Sequence, residues 1–285
     1  MNIKIGMNLL LWAVEITPKH LPLIEMLKNT GFDGVEIPLV DGKLQQLGLL
    51  ANACDDIGLE RTASMFMTPE ANPISSDVRV RSAALDHLKQ RVDDAYNLGA
   101  NMLVGGIYQA HKYFSGAAPT QAEWQWSRDF LRAGGDYARS AGVHLGLEFL
   151  NRFEAYLINT SAEAKRMIDD VGLPNVGVLY DTHHSNLEDP TPTLALESIK
   201  SSVNHIHLSE SHRGTLGSGQ VNFGETFLAL HKMDYKGWVV IEAFGMANPD
   251  IIPAANIWRN AFESEEQLCR DGLEFIKQNL SRGSA

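Results

Sequence analysis

A helix, then a glycine, then a short apolar run: this order recurs along the chain and constrains its fold more than any other feature. It appears in LKNTGFDGVEI around Gly31, ACDDIGLERTAS around Gly58, AYNLGANMLVGG around Gly99 and ARSAGVHLGLEF around Gly142. It returns in IDDVGLPNVGVLY around Gly172 and KMDYKGWVVIEAF around Gly237. Glycine just past a helix supplies the left-handed cap. A continuous apolar run after it reads as a parallel strand buried on both faces. The helical stretches keep the 3.6 period: Leu85, Leu88, Val92 and Ala95 form one stripe, with Arg81, Asp86, Lys89 and Asp93 off it. Alternation of strand and helix implies right-handed parallel crossovers.

Eight strands are predicted, near residues 3–8, 32–38, 59–66, 101–106, 143–149, 176–181, 203–208 and 238–244. No linker, low-complexity stretch or break in composition interrupts them. They therefore predict an α/β fold, a single closed (β/α)₈ TIM barrel over residues 1–285, with 281–285 as a frayed tail. The structural competitor is an open doubly wound sheet. That fold brings a glycine-rich nucleotide turn after its first strand, where this chain reads Met7-Asn8-Leu9-Leu10-Leu11-Trp12.

Four of the apolar runs end on a residue type that binds metals. VHLGLEF carries Glu148, VGVLYD ends on Asp181, VNHIHL carries His207 and WVVIEAF carries Glu242. Strand side chains alternate, so Glu148 shares a face with Gly146, Asp181 with Leu179, and Glu242 with Val240, while the opposite faces are apolar and suit the outer helices. The four polar groups are therefore expected at the barrel mouth, where such barrels carry their active sites. A single acid at a strand end is ordinarily a helix cap or a loop anchor, and a lone histidine in a strand is ordinarily a core residue. His205, one layer deeper, is read that way. Four such groups on four consecutive strands are a different matter. Three carboxylates and one imidazole form a hard, oxygen-rich set that favours one divalent ion, Mn²⁺, Mg²⁺ or Co²⁺, over a thiolate-loving metal. Without a cation the converging carboxylates would repel one another.

The charge narrows the partners. Twenty-four basic against 35 acidic residues give −11, which disfavours nucleic acid and anionic membrane surfaces. Cys54 and Cys269 lie in helical patterns with no ligand spacing and read as reduced thiols. The chain opens directly on IKIGMN, with no basic and apolar leader and no apolar run approaching a membrane span, so a cytoplasmic protein is expected.

The segments Glu148-Phe-Leu-Asn-Arg-Phe-Glu154, Asp181-Thr-His-His184, His207-Leu-Ser-Glu-Ser-His-Arg213 and Ile241-Glu242-Ala-Phe244 resemble the ketose 3-epimerases. This is the family of D-tagatose, D-psicose (allulose) and L-ribulose 3-epimerases within the xylose-isomerase-like barrels. The resemblance runs from GMNLLLW at 6–12 to the last helix, and Asn-Arg-Phe-Glu is its most specific element. It implies metal ligands at Glu148, Asp181, His207 and Glu242, with Glu148 and Glu242 also serving as the catalytic acid–base pair. It places substrate contacts at Glu154, His184 and Arg213. It further implies inversion at C3 of a free ketose through an enediolate, and a homodimer or homotetramer.

Trp12 and Trp258 are expected as rim contacts, apolar walls for a sugar's C–H face, with simple core packing as the alternative for each. Glu36 is expected at the mouth, meeting either a sugar hydroxyl or a partner of a metal ligand. Met65, Phe66 and Tyr108 are expected against the distal sugar carbons. No basic cluster marks a phosphate site, although Lys112 and Arg152 lie nearby in sequence. Three other functions compete. An aldose–ketose or hydroxypyruvate-type isomerase would use the same barrel. A nuclease of the endonuclease IV type would need more histidine ligands and a basic face. A sugar-binding module would lack an acid–base glutamate, and both are present.

Overall fold

Residues 3–39 and 47–282 are described by a computed structural model. Eight parallel strands close in sequential order into one barrel. They are β1 (Ile3–Asn8), β2 (Gly34–Pro38), β3 (Glu60–Ser64), β4 (Met102–Gly105), β5 (His144–Glu148), β6 (Val176–Asp181), β7 (Val203–Leu208) and β8 (Gly237–Ile241). The long outer helices are α1 (Leu21–Thr30), α2 (Leu47–Ile57), α3 (Val78–Leu98), α4 (Gln121–Ser140) and α5 (Ser161–Val171). Two shorter ones follow β6, α6 (Thr182–Glu188) and α7 (Pro192–Ile199); α8 (Phe223–Lys232), the short α9 (Ile251–Ala255) and α10 (Glu265–Arg282) complete the ring. The closed sheet removes the open-sheet alternative. Residues 281 and 282 end α10 and so belong to that helix, contrary to the expected tail; 283–285 lie outside the described residues.

Local chemistry explains the helix boundaries. Thr120 and Glu123 cap α4 reciprocally, each side chain accepting the other's backbone N–H at 3.2 and 2.7 Å. Thr160 and Glu163 do the same for α5. The predicted glycine caps hold at Gly31, Gly99 and Gly172. Gly237 is different. Helix α8 ends at Lys232, the chain reverses at Asp234 with φ 48°, and Gly237 opens β8 at φ 149° beside the Tyr235 ring.

The end of the barrel opposite the mouth is filled by Trp238. A Cβ on Gly34 would lie 2.5 Å from its ring and 2.6 Å from the Glu60 carbonyl oxygen, and one on Gly6 would lie 3.4 Å from the ring. Glycines at these facing positions make room for one indole. At the other end, Asp181 of β6 lies directly beside His207 of β7. Asn8, Glu36 and Thr62 run across β1, β2 and β3 in register. Strand β8 stops at Ile241, so Glu242 stands one residue beyond the ladder, its N–H still bonded to the Leu208 carbonyl at 3.0 Å.

Candidate active site

Strand ends deliver four groups to one point. Glu148 and Asp181 close β5 and β6, His207 is the penultimate residue of β7, and Glu242 follows β8. Each is at most 4 % exposed. One ligand atom from each lies within 4.8 Å of all the others. His207 Nδ1 is 3.4 Å from Glu242 Oε1 and 3.9 Å from both Glu148 Oε1 and Asp181 Oδ2. That nitrogen is buried and has no hydrogen-bond partner among the described residues. A buried imidazole nitrogen facing three carboxylates is the arrangement a hard divalent cation completes, so this donor set fits one.

Glu36 fixes the histidine. Its carboxylate is 0 % exposed. Oε1 lies 2.7 Å from His207 Nε2 and accepts from Asn8 Nδ2 at 2.9 Å, while Thr62 Oγ1 donates to Oε2 at 2.9 Å. A hydrogen on Nε2 leaves Nδ1 as the acceptor, which a metal requires. His205 is buried as expected, with Nε2 2.9 Å from Glu36 Oε2, but its Nδ1 finds no partner among the described residues. Burial raises the Glu36 carboxyl, yet the two imidazoles outweigh it and hold the group well below the usual range. Burial works against a charged His207 ring, but Glu36 and Glu242 push it up to about 10 in the metal-free protein. Burial pushes Glu242 upward, and neighbouring carboxylates add to this against His207 and Arg213.

Asp181 serves two purposes. Its Oδ1 accepts the His183 N–H at 2.5 Å and so caps α6, while Oδ2 faces the cluster. One carboxylate thus caps the helix with one oxygen and keeps the other toward the cluster.

Arg213 links this cluster to a second polar group. Its Nη1 donates to Glu242 Oε2 at 2.7 Å, to Ser209 Oγ at 2.8 Å and to Asp181 Oδ2 at 3.1 Å. Its backbone sits at φ 60°, a left-handed conformation uncommon for a side chain of this size. His184 accepts the Asn151 N–H at Nδ1, 3.1 Å, leaving Nε2 3.5 Å from Glu148 Oε1. Asn151 Nδ2 donates to Glu154 Oε1 at 2.8 Å, and His111 Nε2 lies 3.1 Å from Glu154 Oε2. Asn151 and His111 carry no sequence expectation. The Asn151-x-x-Glu154 spacing contains the first contact, whereas His111 comes from a loop 43 residues away.

A cavity of about 190 Å³ opens over these groups, and Glu148, Glu154, His184, Arg213 and Glu242 all line it. Its other side is apolar. Leu10, Phe244, Ile251 and Ile257 form a small cluster apart from the main core, with Val14, Phe66, Ala254 and Ala255 packed on it. Phe66 lines the cavity and stacks near His111, ring centroids 5.6 Å apart.

Four expected rim contacts need correction. Tyr108 is 0 % exposed, donates its hydroxyl to the Ile158 carbonyl at 2.6 Å and accepts the Leu150 N–H; it braces loops beneath the site. Met65 is likewise buried in the main core. Trp12 closes a 3₁₀ turn over Leu9–Leu11, which sends its ring against the core and leaves Leu10 and Val14 to face the cavity. Trp258 is 67 % exposed, because Asn256 ends α9 at φ 56° and Ile257 takes the inward position. Glu36 takes the second of its two expected roles: it meets His207 and does not line the cavity.

The family model of the xylose isomerase-like TIM barrel matches residues 24–279. A ketose 3-epimerase of Arthrobacter globiformis is 31% identical over 281 residues, covering 98% of this chain and 97% of that protein. A solved L-ribulose 3-epimerase superposes with a TM-score of 0.94 at 28% identity, over 100% of this chain and 96% of that one. The D-allulose 3-epimerase from Methylomonas sp., solved in complex with D-allulose, gives 0.92 at 28% identity, over 98% and 97%. Taken with the barrel and its four-group cluster, these likenesses make the chain an epimerase that belongs to the ketose 3-epimerases, within the xylose isomerase-like TIM barrel family.

Proposed function

We propose that this chain inverts C3 of free ketoses by proton transfer, with Glu148 and Glu242 as the acid–base pair. The observation that carries the reading is that both glutamates belong to the buried four-group cluster and also line the cavity. A proton next to a ketone is too weakly acidic for a carboxylate to remove unaided. A divalent cation held by Glu148, Asp181, His207 and Glu242 supplies positive charge beside the carbonyl oxygen, and Mn²⁺ is the proposed ion. One glutamate takes the C3 proton and the other returns a proton from the opposite face, which of the two depending on the starting configuration. Arg213 and His184 hold O1 and O2, and Glu154 accepts from a hydroxyl.

Free sugars are favoured over phosphates because nearby cations are engaged elsewhere. Lys112 Nζ binds the Pro253 carbonyl at 3.0 Å, and Arg152 forks onto Glu188. Two buried thiols support a reducing, cytoplasmic setting, and a homodimer or homotetramer is proposed. No described helix is long and apolar enough to cross a membrane. The test is turnover of D-tagatose, D-fructose and L-ribulose with Mn²⁺ in D₂O. Deuterium at C3 of the epimer is expected. Product labelled at C1 or C2 would indicate the aldose–ketose isomerase, and product with no solvent deuterium would indicate a hydride shift; either outcome removes the reading.

A further inference from the structure

The segment that carries Arg213, between β7 and α8, is folded around one buried carboxylate. Glu210 is 0 % exposed and does not line the cavity. Its Oε1 accepts the N–H of Ser211 at 2.7 Å and that of Val221 at 3.1 Å, and its Oε2 accepts that of Gly217 at 3.0 Å. These donors come from the start, the middle and the end of the segment, so a single side chain draws it together. Burial raises the Glu210 carboxyl, but hydrogen bonds led by the Ser211 and Val221 backbone hold it below its ordinary range. The fit is close: a Cβ on Gly219 would lie 2.5 Å from Glu210 Oε1 and 2.5 Å from Ser211 Oγ. Arg213 sits inside this segment at φ 60°. A long side chain keeps a left-handed backbone only where its surroundings over-determine it. Here its N–H goes to the Glu210 carbonyl at 2.9 Å, and its own carbonyl accepts the Phe244 N–H at 2.8 Å.

We propose that Glu210 is a positioning residue for the reaction, holding Arg213 in the left-handed conformation that aims its guanidinium into the site. The inference rests on the C3 reading above, in which Arg213 holds O1 and O2 of the sugar. One nitrogen, Nη1, reaches Asp181 Oδ2, Ser209 Oγ and Glu242 Oε2 together. Three acceptors on one nitrogen leave little angular play, and a turn about φ at residue 213 moves the whole side chain. The four cluster groups stand on or beside strand ends, and the barrel's register places them without help from this segment. Loss of the brace should therefore weaken the hold on the sugar and leave the metal site assembled. Glu210→Gln keeps the volume, but its amide nitrogen must replace one acceptor oxygen. That sets a donor against the Gly217 N–H or against those of Ser211 and Val221. Gly219→Ala displaces the carboxylate from the other side and changes no charge.

The experiment measures kcat and KM for D-tagatose from C3 deuterium in D₂O, on Mn²⁺-loaded Glu210→Gln and Gly219→Ala, each alone and combined with Arg213→Ala. Mn²⁺ affinity, by calorimetry, and melting temperature are taken for every protein. Glu210→Gln should lower kcat/KM by roughly 10- to 100-fold, mostly through KM, the size of one hydrogen bond to a charged group. Gly219→Ala should move in the same direction. Added to Arg213→Ala, either change should cost less than about twofold more, because the brace has nothing left to position. Mn²⁺ affinity should match that of the wild type throughout. A penalty as large without Arg213 as with it, a fall confined to kcat, or wild-type kinetics in both variants overturns the proposal. If Glu210→Gln does not fold, Gly219→Ala decides alone. If neither variant binds Mn²⁺, the segment supports the whole barrel mouth and the proposal is overturned. If the wild type places no deuterium at C3, the C3 reading falls. Calorimetric affinity for D-tagatose, which needs no turnover, then replaces kcat/KM in the same comparison and still decides the role of Glu210.

Discussion

His207 carries a proton at neutral pH in the metal-free protein, because Glu36 and Glu242 push it up to about 10 despite burial. A cation must displace that proton to use Nδ1. Metal affinity should therefore climb as pH rises from 6 to 8, by up to about tenfold per unit for each proton released. Calorimetric titration with Mn²⁺ checks this, and a flat profile would contradict it. Glu36→Gln keeps the shape but removes the charge that fixes the ring. It should weaken Mn²⁺ binding by about 10- to 100-fold, read as a lost melting-temperature gain at subsaturating metal. Glu148→Gln and Glu242→Gln should each lose at least about 10² in kcat, since an amide cannot exchange the proton. Retention of turnover in either variant would remove that residue from the acid–base pair.

Among the elements, strand ends are legible in the sequence and loop faces are not. A strand's period of two tells which side chain points inward, so Glu148, Asp181, His207 and Glu242 can be aligned from their apolar runs alone. The resemblance named Glu154, His184 and Arg213, and the structure brings them to the same cavity. The apolar wall draws on the turns after β1 and β3 and the segment after β8. There a 3₁₀ turn or a left-handed residue rotates the next side chain off any period. For that reason Trp12 and Trp258 are misplaced by the sequence, while Leu10, Val14 and Ile251 carry no expectation. Packing inside the barrel gives a further prediction. Gly34→Ala would put a methyl 2.5 Å from the Trp238 ring and 2.6 Å from the Glu60 carbonyl. Such overpacking should cost about 1–3 kcal/mol, measured as a shift in the denaturant midpoint. An unchanged midpoint would mean that the barrel floor gives way.

For the molecule as a whole, Cys54 and Cys269 are both 0 % exposed. Burial, outweighing Arg61, raises the Cys54 thiol, and burial pushes Cys269 up to about 12. The native protein should therefore resist a thiol reagent at pH 8 and release both thiols only on unfolding. Rapid modification of folded protein would disprove this. The cavity's two sides also have different origins. The candidate ligand groups stand on or beside the strand ends of β5 to β8, held by the barrel's register, while the opposite wall is assembled from loops and the short helix α9. Phe244 is shared, bonded through its N–H to the Arg213 carbonyl and lying under that guanidinium. On the proposed reading, substrate range and reaction type are encoded by nearly separate sets of codons. A lineage can drift through positions 14, 66, 254 and 255, exploring new sugars while its chemistry stays inherited, and position 244 is where that freedom ends.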